Sequence, residues 1–264
     1  MAMPTLIELA EAGAHYGHHR SLTFPKAKNF IYMTKNNVSL INLEETLRCL
    51  EEAQRVISEY RASNRPVLFV GTKRSIRQIV KEVAESIQAP YMIERWYGGF
   101  LTNFPNFANQ LKKMKELEEF VAGEKYARLD KKQRARHQAR LDHYHRFLGG
   151  VAALPGMPKL LVVGSATEDK IAIAEARKLD IPVIAIVDTD INPSEIEYPI
   201  PANDDAPKAV EVILRALVEE PAKKAVKKAV AAVEAPENDE KPKKTVKKAT
   251  AAAKPKKAAV KKAK

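Results

Sequence analysis

Apolar residues recur along this chain with two periods, and the alternation between them lays out the fold. Leu6, Ile7, Leu9 and Ala10 form a short stripe after Pro4-Thr5 and end at Gly13, which predicts an N-terminal amphipathic helix. NFIYMTK and VSLINL read as two short strands around a turn at Asn36-Asn37. The next segment places Leu43, Leu47, Leu50, Ala53, Val56 or Ile57, and Tyr60 at intervals of three and four, a long helix. PVLFVGT from Pro66 is a continuous apolar run of strand length, followed by a helix in KRSIRQIVKEVAESIQ and a strand in PYMIE. After an interruption the alternation resumes with KLLVVGS, EDKIAIAEARKLD, IPVIAIVDT and APKAVEVILRALVEE. Strands and helices alternating through short links pair in parallel by right-handed crossovers, so the pattern predicts an α/β doubly wound sheet with helices on both faces.

The interruption, between Asn103 and Pro155, holds no strand pattern. Phe107, Leu111, Met114, Leu117 or Glu118, and Val121 lie close to heptad spacing up to Gly123, and His137, Leu141, Tyr144 and Leu148 offer a weaker matching seam before Gly149-Gly150. Two helices of about 18 residues make an inserted α-helical coiled-coil hairpin about 27 Å long. Basic residues, among them Lys112, Lys113, Lys131, Lys132, Arg134, Arg136 and Arg140, line its sides. Such an arm braces against an RNA helix or a neighbouring protein, or is an ordinary solvated coiled coil.

Charge refines this division. The formal net charge of +12 resides almost wholly in one place: residues 221–264 hold 15 Lys against 4 acids, leaving residues 1–220 at +1. This Lys/Ala/Pro stretch has few apolar groups and is broken by Pro221, Pro236, Pro242 and Pro255, so it reads as a disordered basic C-terminal tail adding nonspecific, salt-sensitive affinity for nucleic acid. The near-neutral remainder is polarised, with 6 basic and 13 acidic residues in 158–220 but 11 and 6 in 111–149. A lone Cys49 makes no internal disulfide, and neither a secretory leader pattern nor a run of membrane-spanning length is present, which predicts a cytoplasmic protein with no membrane partner.

Two stretches lack acids altogether. RWYGGFLTN, from Arg95 to Asn103, holds the only Trp and lies within an acid-free interval from Glu94 to Glu116. Its guanidinium and rings around Gly98-Gly99 suit stacking on a polyanion, with Arg95, Trp96, Gly98, Gly99, Thr102 and Asn103 as contacts; the alternative is a glycine turn whose rings join the core. The second interval, Ala12 to Leu43, carries His15, His18, His19, Arg20, Lys26, Lys28 and Lys35, with Tyr16, Phe24, Phe30 and Tyr32 interleaved. Cations spaced along an irregular segment follow a phosphate backbone; a solvated basic loop is the alternative.

The strand ends, where doubly wound sheets bind ligands, show Gly71-Thr72-Lys73, Gly164-Ser165-Ala166 and Asp188-Thr189-Asp190. None has the spacing of a phosphate loop, a dinucleotide fingerprint or a nucleophile elbow, so Lys73 and Arg74 are assigned to an RNA backbone and no cofactor is required. Asp188, Asp204 and Asp205 lie where they converge on one sheet edge. Asp204 and Asp205 cap the following helix; joined by His18, the three carboxylates instead form an oxygen-rich site for a divalent cation, Zn or Mg.

EAGAHYGHH, NFIYMTKNNVSLINLEETL, VLFVGTKRS, RWYGGFLTN and IAIAEARKLDIPVIAIVDTDINP, in this order with a helical hairpin after the fourth, resemble the family of bacterial small-subunit ribosomal protein two over residues 4 to 220. The resemblance implies a flavodoxin-like sheet domain with an inserted coiled-coil hairpin, on the solvent side of the small subunit near the junction of head and body. It implies a structural role, contact with small-subunit ribosomal RNA and neighbouring ribosomal proteins, and help in recruiting ribosomal protein one, which holds messenger RNA. His15 and His18 match its histidine-aromatic-glycine-histidine signature, Lys73 its strand-end Gly-Thr-Lys, and Arg95, Trp96, Gly98, Gly99, Leu101, Thr102 and Asn103 its central signature. Tyr97 and Phe100 stand where aliphatic residues are more familiar, and Ser165 where an acid is expected. The expected division is 1–102 with 156–220 as sheet domain, 103–155 as hairpin and 221–264 as tail. An enzyme binding a phosphorylated or nucleotide ligand is the competing class, and a DNA-compacting protein, for which no DNA contact is expected, the third.

Overall fold

The computed structural model describes residues 3–219, so the tail expected at 221–264 lies outside the described residues. The chain enters through helix α1 (Leu6–Glu11), where Glu8 N donates to Thr5 Oγ1 at 3.2 Å and Thr5 N donates back to the Glu8 carboxylate at 2.7 Å. This reciprocal pairing satisfies two backbone donors that the helix start leaves open. Leu9 is buried, but Leu6 and Ile7 are exposed, so the apolar stripe is narrower than its spacing predicts.

Three strands follow: β1 (Tyr16–His19), β2 (Ile31–Lys35) and β3 (Val38–Ile41), antiparallel in the order β1-β3-β2. Asn36 and Asn37 both adopt positive φ, 51° and 61°, the left-handed pair that a tight hairpin turn requires and that asparagine tolerates. β1 corrects the expectation of an irregular segment. YGHH has no apolar alternation of its own, but it pairs with the free edge of β3, and His15 O accepts from Ile41 N at 2.8 Å just before it.

Helix α2 (Leu43–Ala62) then leads to the central sheet, built from β4 (Val67–Val70), β5 (Tyr91–Met92), β6 (Leu160–Val163), β7 (Val183–Val187) and β8 (Tyr198–Pro201). Their order, β5-β4-β6-β7-β8, is parallel throughout and is the flavodoxin-like arrangement. β8 is absent from the sequence pattern because Pro199 and Pro201 interrupt it. It is an edge strand: Tyr198 and Ile200 stand in register with Ile184 and Ile186, and the prolines fall on alternate positions, where an edge strand needs no donor.

Alternate residues of the inner strands feed two cores. Val67, Phe69, Leu160, Val162, Ile184 and Ile186 join one, with Leu50 and Ile57 of α2, Val80 of α3 (Arg77–Ser86) and Ile213 and Leu217 of α8 (Pro207–Val218). Leu68, Val70, Leu161, Val163, Ala185 and Val187 join the other, with Ile173 of α7 (Lys170–Lys178), Phe107 and Met114 of α4 (Phe104–Ala122) and Leu148 of α6 (Lys131–Leu148). Full burial of each such aliphatic or aromatic side chain contributes about 1.5–3 kcal/mol, which is why strands covered on both faces read as unbroken apolar runs. The short helix α5 (Glu124–Ala127) stands between α4 and α6, which pack on each other. No helix of the described residues is long and apolar enough to cross a membrane.

Candidate nucleic-acid interface

RWYGGFLTN folds inward. Trp96 is 8% exposed and Phe100 is buried, with ring centroids 5.2 Å apart, and both belong to the core beneath β4 and β6. The cause is Glu175 on α7. Its carboxylate accepts from Trp96 Nε1 at 3.2 Å, Gly99 N at 2.7 Å, Leu101 N at 3.1 Å, and Thr102 N and Oγ1 at 3.3 and 3.4 Å. Gly99, at φ +89°, turns the backbone so that these donors converge. The segment is therefore an anion cradle, as its composition suggests, but the anion is the protein's own. Burial opposes ionisation of Glu175, yet the donors from Gly99, Trp96, Thr102 and Leu101 outweigh it and hold the carboxyl below its usual range. Trp96 is thus a core residue rather than an outward stacking ring, while half-buried Gly99 and exposed Thr102 donate to Glu175 within the fold. Arg95, Gly98 and Asn103 remain on the surface. Glu175 was missed because a lone acid in IAIAEARK looks like one member of a solvated helix face.

The switch point of the sheet, between the carboxyl ends of β4 and β6, is also filled from within. Lys73 Nζ lies 2.8 Å from Asp204 Oδ1 and 2.8 Å from Asp205 Oδ1, and Ser165 Oγ donates to Asp204 Oδ2 at 2.5 Å. Thr72 donates through N and Oγ1 to Asp169, at 3.2 and 2.8 Å. Desolvation lowers the Lys73 pKa, but its bonds to the two aspartates prevail and raise it. Lys73, 17% exposed, is therefore engaged within the fold as the counterion of a buried carboxylate, a role its sequence motif did not announce.

The acidic cluster converges as expected, with His18 Nδ1 3.2 Å from Asp188 Oδ2 and His18 Nε2 3.7 Å from Asp205 Oδ2. Its form differs from the divalent site anticipated for His18, Asp188, Asp204 and Asp205. The Lys73 ammonium already bridges Asp204 and Asp205, and among the described residues no group of three or more His, Cys, Asp or Glu side chains is placed to hold a metal ion. The capping role expected of Asp204 and Asp205 also fails, because Ala206 is the N-cap of α8 and no side chain caps it. Ser165, where an acid was expected, binds Asp204 directly.

One surface that remains outward, with cations along its border, is the antiparallel sheet. In its register Tyr16 faces Leu40 and Leu40 faces Met33, while His19 faces Val38 and Val38 faces Lys35. Directly opposed residues share a face, and Leu40 and Val38 lie two apart on β3, so all six project to the same side. A register shift between Tyr16 and His19 lets residues three apart on β1 do so. Tyr16, His19, Met33 and Lys35 are exposed, whereas Ser39, on the opposite side, is buried. That opposite side is fastened to the end of β7: His18 N donates to Thr189 Oγ1 at 2.9 Å and Phe24 N to Thr189 O at 2.7 Å. Gly17 permits the approach, since a Cβ there would stand 2.7 Å from Thr189 Cγ2.

Further cations border this sheet. Arg20 N donates to Asn37 O at 2.8 Å, fixing the Arg20 backbone at the hairpin tip with its side chain exposed, and Lys26 and Lys28 are exposed in the Pro25–Phe30 turn. Arg20, Lys26, Lys28 and Lys35 form no ion pair among the described residues. His18 does not join them, being turned toward Asp188. Arg74, Arg95, Lys112 and Lys113 are exposed elsewhere on the chain, Lys112 within 4.0 Å of Glu116.

Comparison with known proteins agrees with this fold and with the motifs in it. A family model described as Ribosomal protein S2 matches residues 9–225. The chain is similar to the small ribosomal subunit protein uS2 of Cytophaga hutchinsonii, 41% identical over 210 residues, covering 80% of this chain and 83% of that protein. It is similar also to those of Bacteroides fragilis, 42% identical with 79% and 75% covered, and Helicobacter hepaticus, 36% identical with 82% of each covered. A match across most of the chain and identities of this size over about four-fifths of it show that the chain belongs to the ribosomal protein S2 family of the bacterial small ribosomal subunit.

Proposed function

We propose that this protein is a non-catalytic structural component of the small ribosomal subunit, in the cytoplasm, that binds small-subunit ribosomal RNA chiefly through the outward face of its antiparallel sheet. The observation that carries this reading is the face itself: Tyr16, Leu40 and Met33 in one row, His19, Val38 and Lys35 in the next, within a stretch from Ala12 to Leu43 that has no carboxylate. Apolar and aromatic side chains flanked by unpaired cations suit a polyanion that also offers base and sugar surfaces. Arg20, Lys26 and Lys28 extend the same cationic border, and Arg74, Arg95, Lys112 and Lys113 supply secondary phosphate contacts.

The enzyme reading loses its footing at the switch point, where Lys73, Ser165, Asp204 and Asp205 bind one another in the place a doubly wound enzyme gives to its ligand. In this proposal α4 and α6 form a coiled-coil arm within an inserted unit of residues 103–155, bracing RNA or a neighbouring subunit protein, and the particle presents a surface for ribosomal protein one. The test is binding of the full chain to small-subunit ribosomal RNA across a salt series. His19→Glu with Lys35→Glu weakens binding at least tenfold and flattens the salt slope by about one phosphate contact, that of Lys35; unchanged affinity and slope would falsify the assignment of this face.

A further inference from the structure

The cleft between the Gly98-Gly99 turn and the bases of α4 and α6 is not used by anything described above. It has a volume of about 300 Å³ and is walled by Tyr97, Phe107, Phe147, His143, Asn106 and Gln110. This is the lower limit of ordinary small-ligand pockets. Its rings are arranged as a receptacle: Tyr97 lies 6.1 Å from Phe147 at an interplanar angle of 76° and 6.2 Å from Phe107, and His143 lies 4.6 Å from Phe147. No carboxylate lines it. The side-chain amides of Asn106 and Gln110 have no hydrogen-bond partner among the described residues, so each offers a free donor and acceptor at the wall.

The approach is cationic. Arg140 stands 5.6 Å over the Tyr144 ring, donates to the Tyr144 hydroxyl at 3.3 Å and makes no ion pair among the described residues. Arg95, next to Tyr97, is exposed and close enough to oppose the rise that burial gives the Tyr97 phenol pKa. Arg146, over Phe147, is instead held by Glu94 at 3.2 Å.

We infer that this cleft takes one unstacked nucleobase of the bound RNA, with Asn106 and Gln110 reading its polar edge and Arg95 and Arg140 meeting its flanking phosphates. Rings supply stacking surface, free amides supply edge recognition, and unpaired guanidinium groups at the mouth favour a ligand carrying phosphate over an apolar peptide side chain. The inference rests on the ribosomal RNA reading and adds a site to it.

Ultraviolet crosslinking of the full chain bound to small-subunit ribosomal RNA, with adducts mapped by mass spectrometry, tests it. A nucleotide adduct is expected on Tyr97, His143 or Phe147. Gly98→Trp is expected to remove it at least tenfold by placing an indole at the rim of the cleft, where a Cβ on Gly98 meets nothing within 4 Å and the backbone accepts a side chain without a clash. Gln110→Trp, from the opposite wall, does the same, while total RNA affinity falls only severalfold because the sheet face is intact. RNA bound and crosslinked elsewhere with no adduct in the cleft overturns the inference and leaves the RNA reading standing. An adduct undiminished in both variants, or a neighbouring protein crosslinked into the cleft, also overturns it. Absence of RNA binding altogether removes both readings.

Discussion

The Gly99 amide lies 2.7 Å from the Glu175 carboxylate, and that contact determines which way the most conspicuous sequence segment of this protein faces. With Trp96 Nε1, Leu101 N and Thr102 N aimed at the same group, a buried acid holds the RWYGGFLTN loop against the sheet. Glu175→Ala strands these donors and is expected to destabilise the fold by about 2–4 kcal/mol. Trp96, the single tryptophan, is the reporter, and its emission in the variant shifts red before global unfolding. The folded carboxyl has a lowered pKa, so its contribution is complete above the unfolded value near 4.5 and is lost as pH falls through the folded value. Wild-type protein therefore loses stability in that acid window while Glu175→Gln, weaker at pH 7, changes less; parallel curves contradict this assignment.

Lys73 gives a prediction that separates an internal counterion from an RNA contact. Lys73→Met leaves Asp204, 1% exposed, without its ammonium, which is expected to cost about 3–5 kcal/mol. At about 2–4 °C per kcal/mol for a domain of this size, the midpoint of thermal unfolding falls on the order of 10 °C. Adding Asp204→Asn restores most of the loss, a coupling that a double-mutant cycle measures directly. A phosphate-binding lysine would instead leave the midpoint unchanged and weaken RNA binding.

Asp169 carries a pH signature of opposite sign. Burial pushes its carboxyl up to about 6, against the donors of Thr72 and with some help from Glu168. Because the folded pKa lies above the unfolded value of 3.8, the cost of the buried charge is absent below that value and complete above about pH 6. Asp169→Asn keeps an acceptor for Thr72 and removes the charge, so it is expected to stabilise the protein at pH 7 by about 1–2 kcal/mol and to leave it unchanged near pH 4. Denaturant titrations at the two pH values check the difference.

Much of the architecture was legible because the inner strands are apolar on both faces. VLFV, LLVV and VIAIV announce themselves without neighbours, and the helices between them carry clear stripes. The elements that escaped depend on partners: β1 exists because β3 offers an edge, and β8 because its prolines fall where no donor is needed. Orientation was the other blind spot. Composition marks RWYGGFLTN as an anion-binding segment and Asp188, Asp204 and Asp205 as a cation-binding set, and both descriptions are chemically sound. A one-dimensional pattern does not reveal that Glu175 and Lys73, distant in sequence, supply the anion and the cation.

The Lys-rich segment from Pro221 to Lys264 yields a prediction from charge alone. Fifteen lysines against four acids add counterion release without base selectivity. Removing residues 221–264 is expected to make the plot of log affinity against log salt shallower for ribosomal RNA and unrelated RNA alike. A filter-binding series between low and moderate salt measures it, and an unchanged slope removes the tail from the interface.

Incorporation into particles tests the central claim most directly. Tagged protein is sedimented through a sucrose gradient in high salt, alongside the sheet-face variant His19→Glu with Lys35→Glu and a control, Lys170→Glu, altered on α7. The account predicts that wild type and the control migrate with small subunits while the sheet-face variant stays near the top of the gradient. Wild-type protein free in every fraction, or a sheet-face variant that incorporates as well as the control, contradicts it.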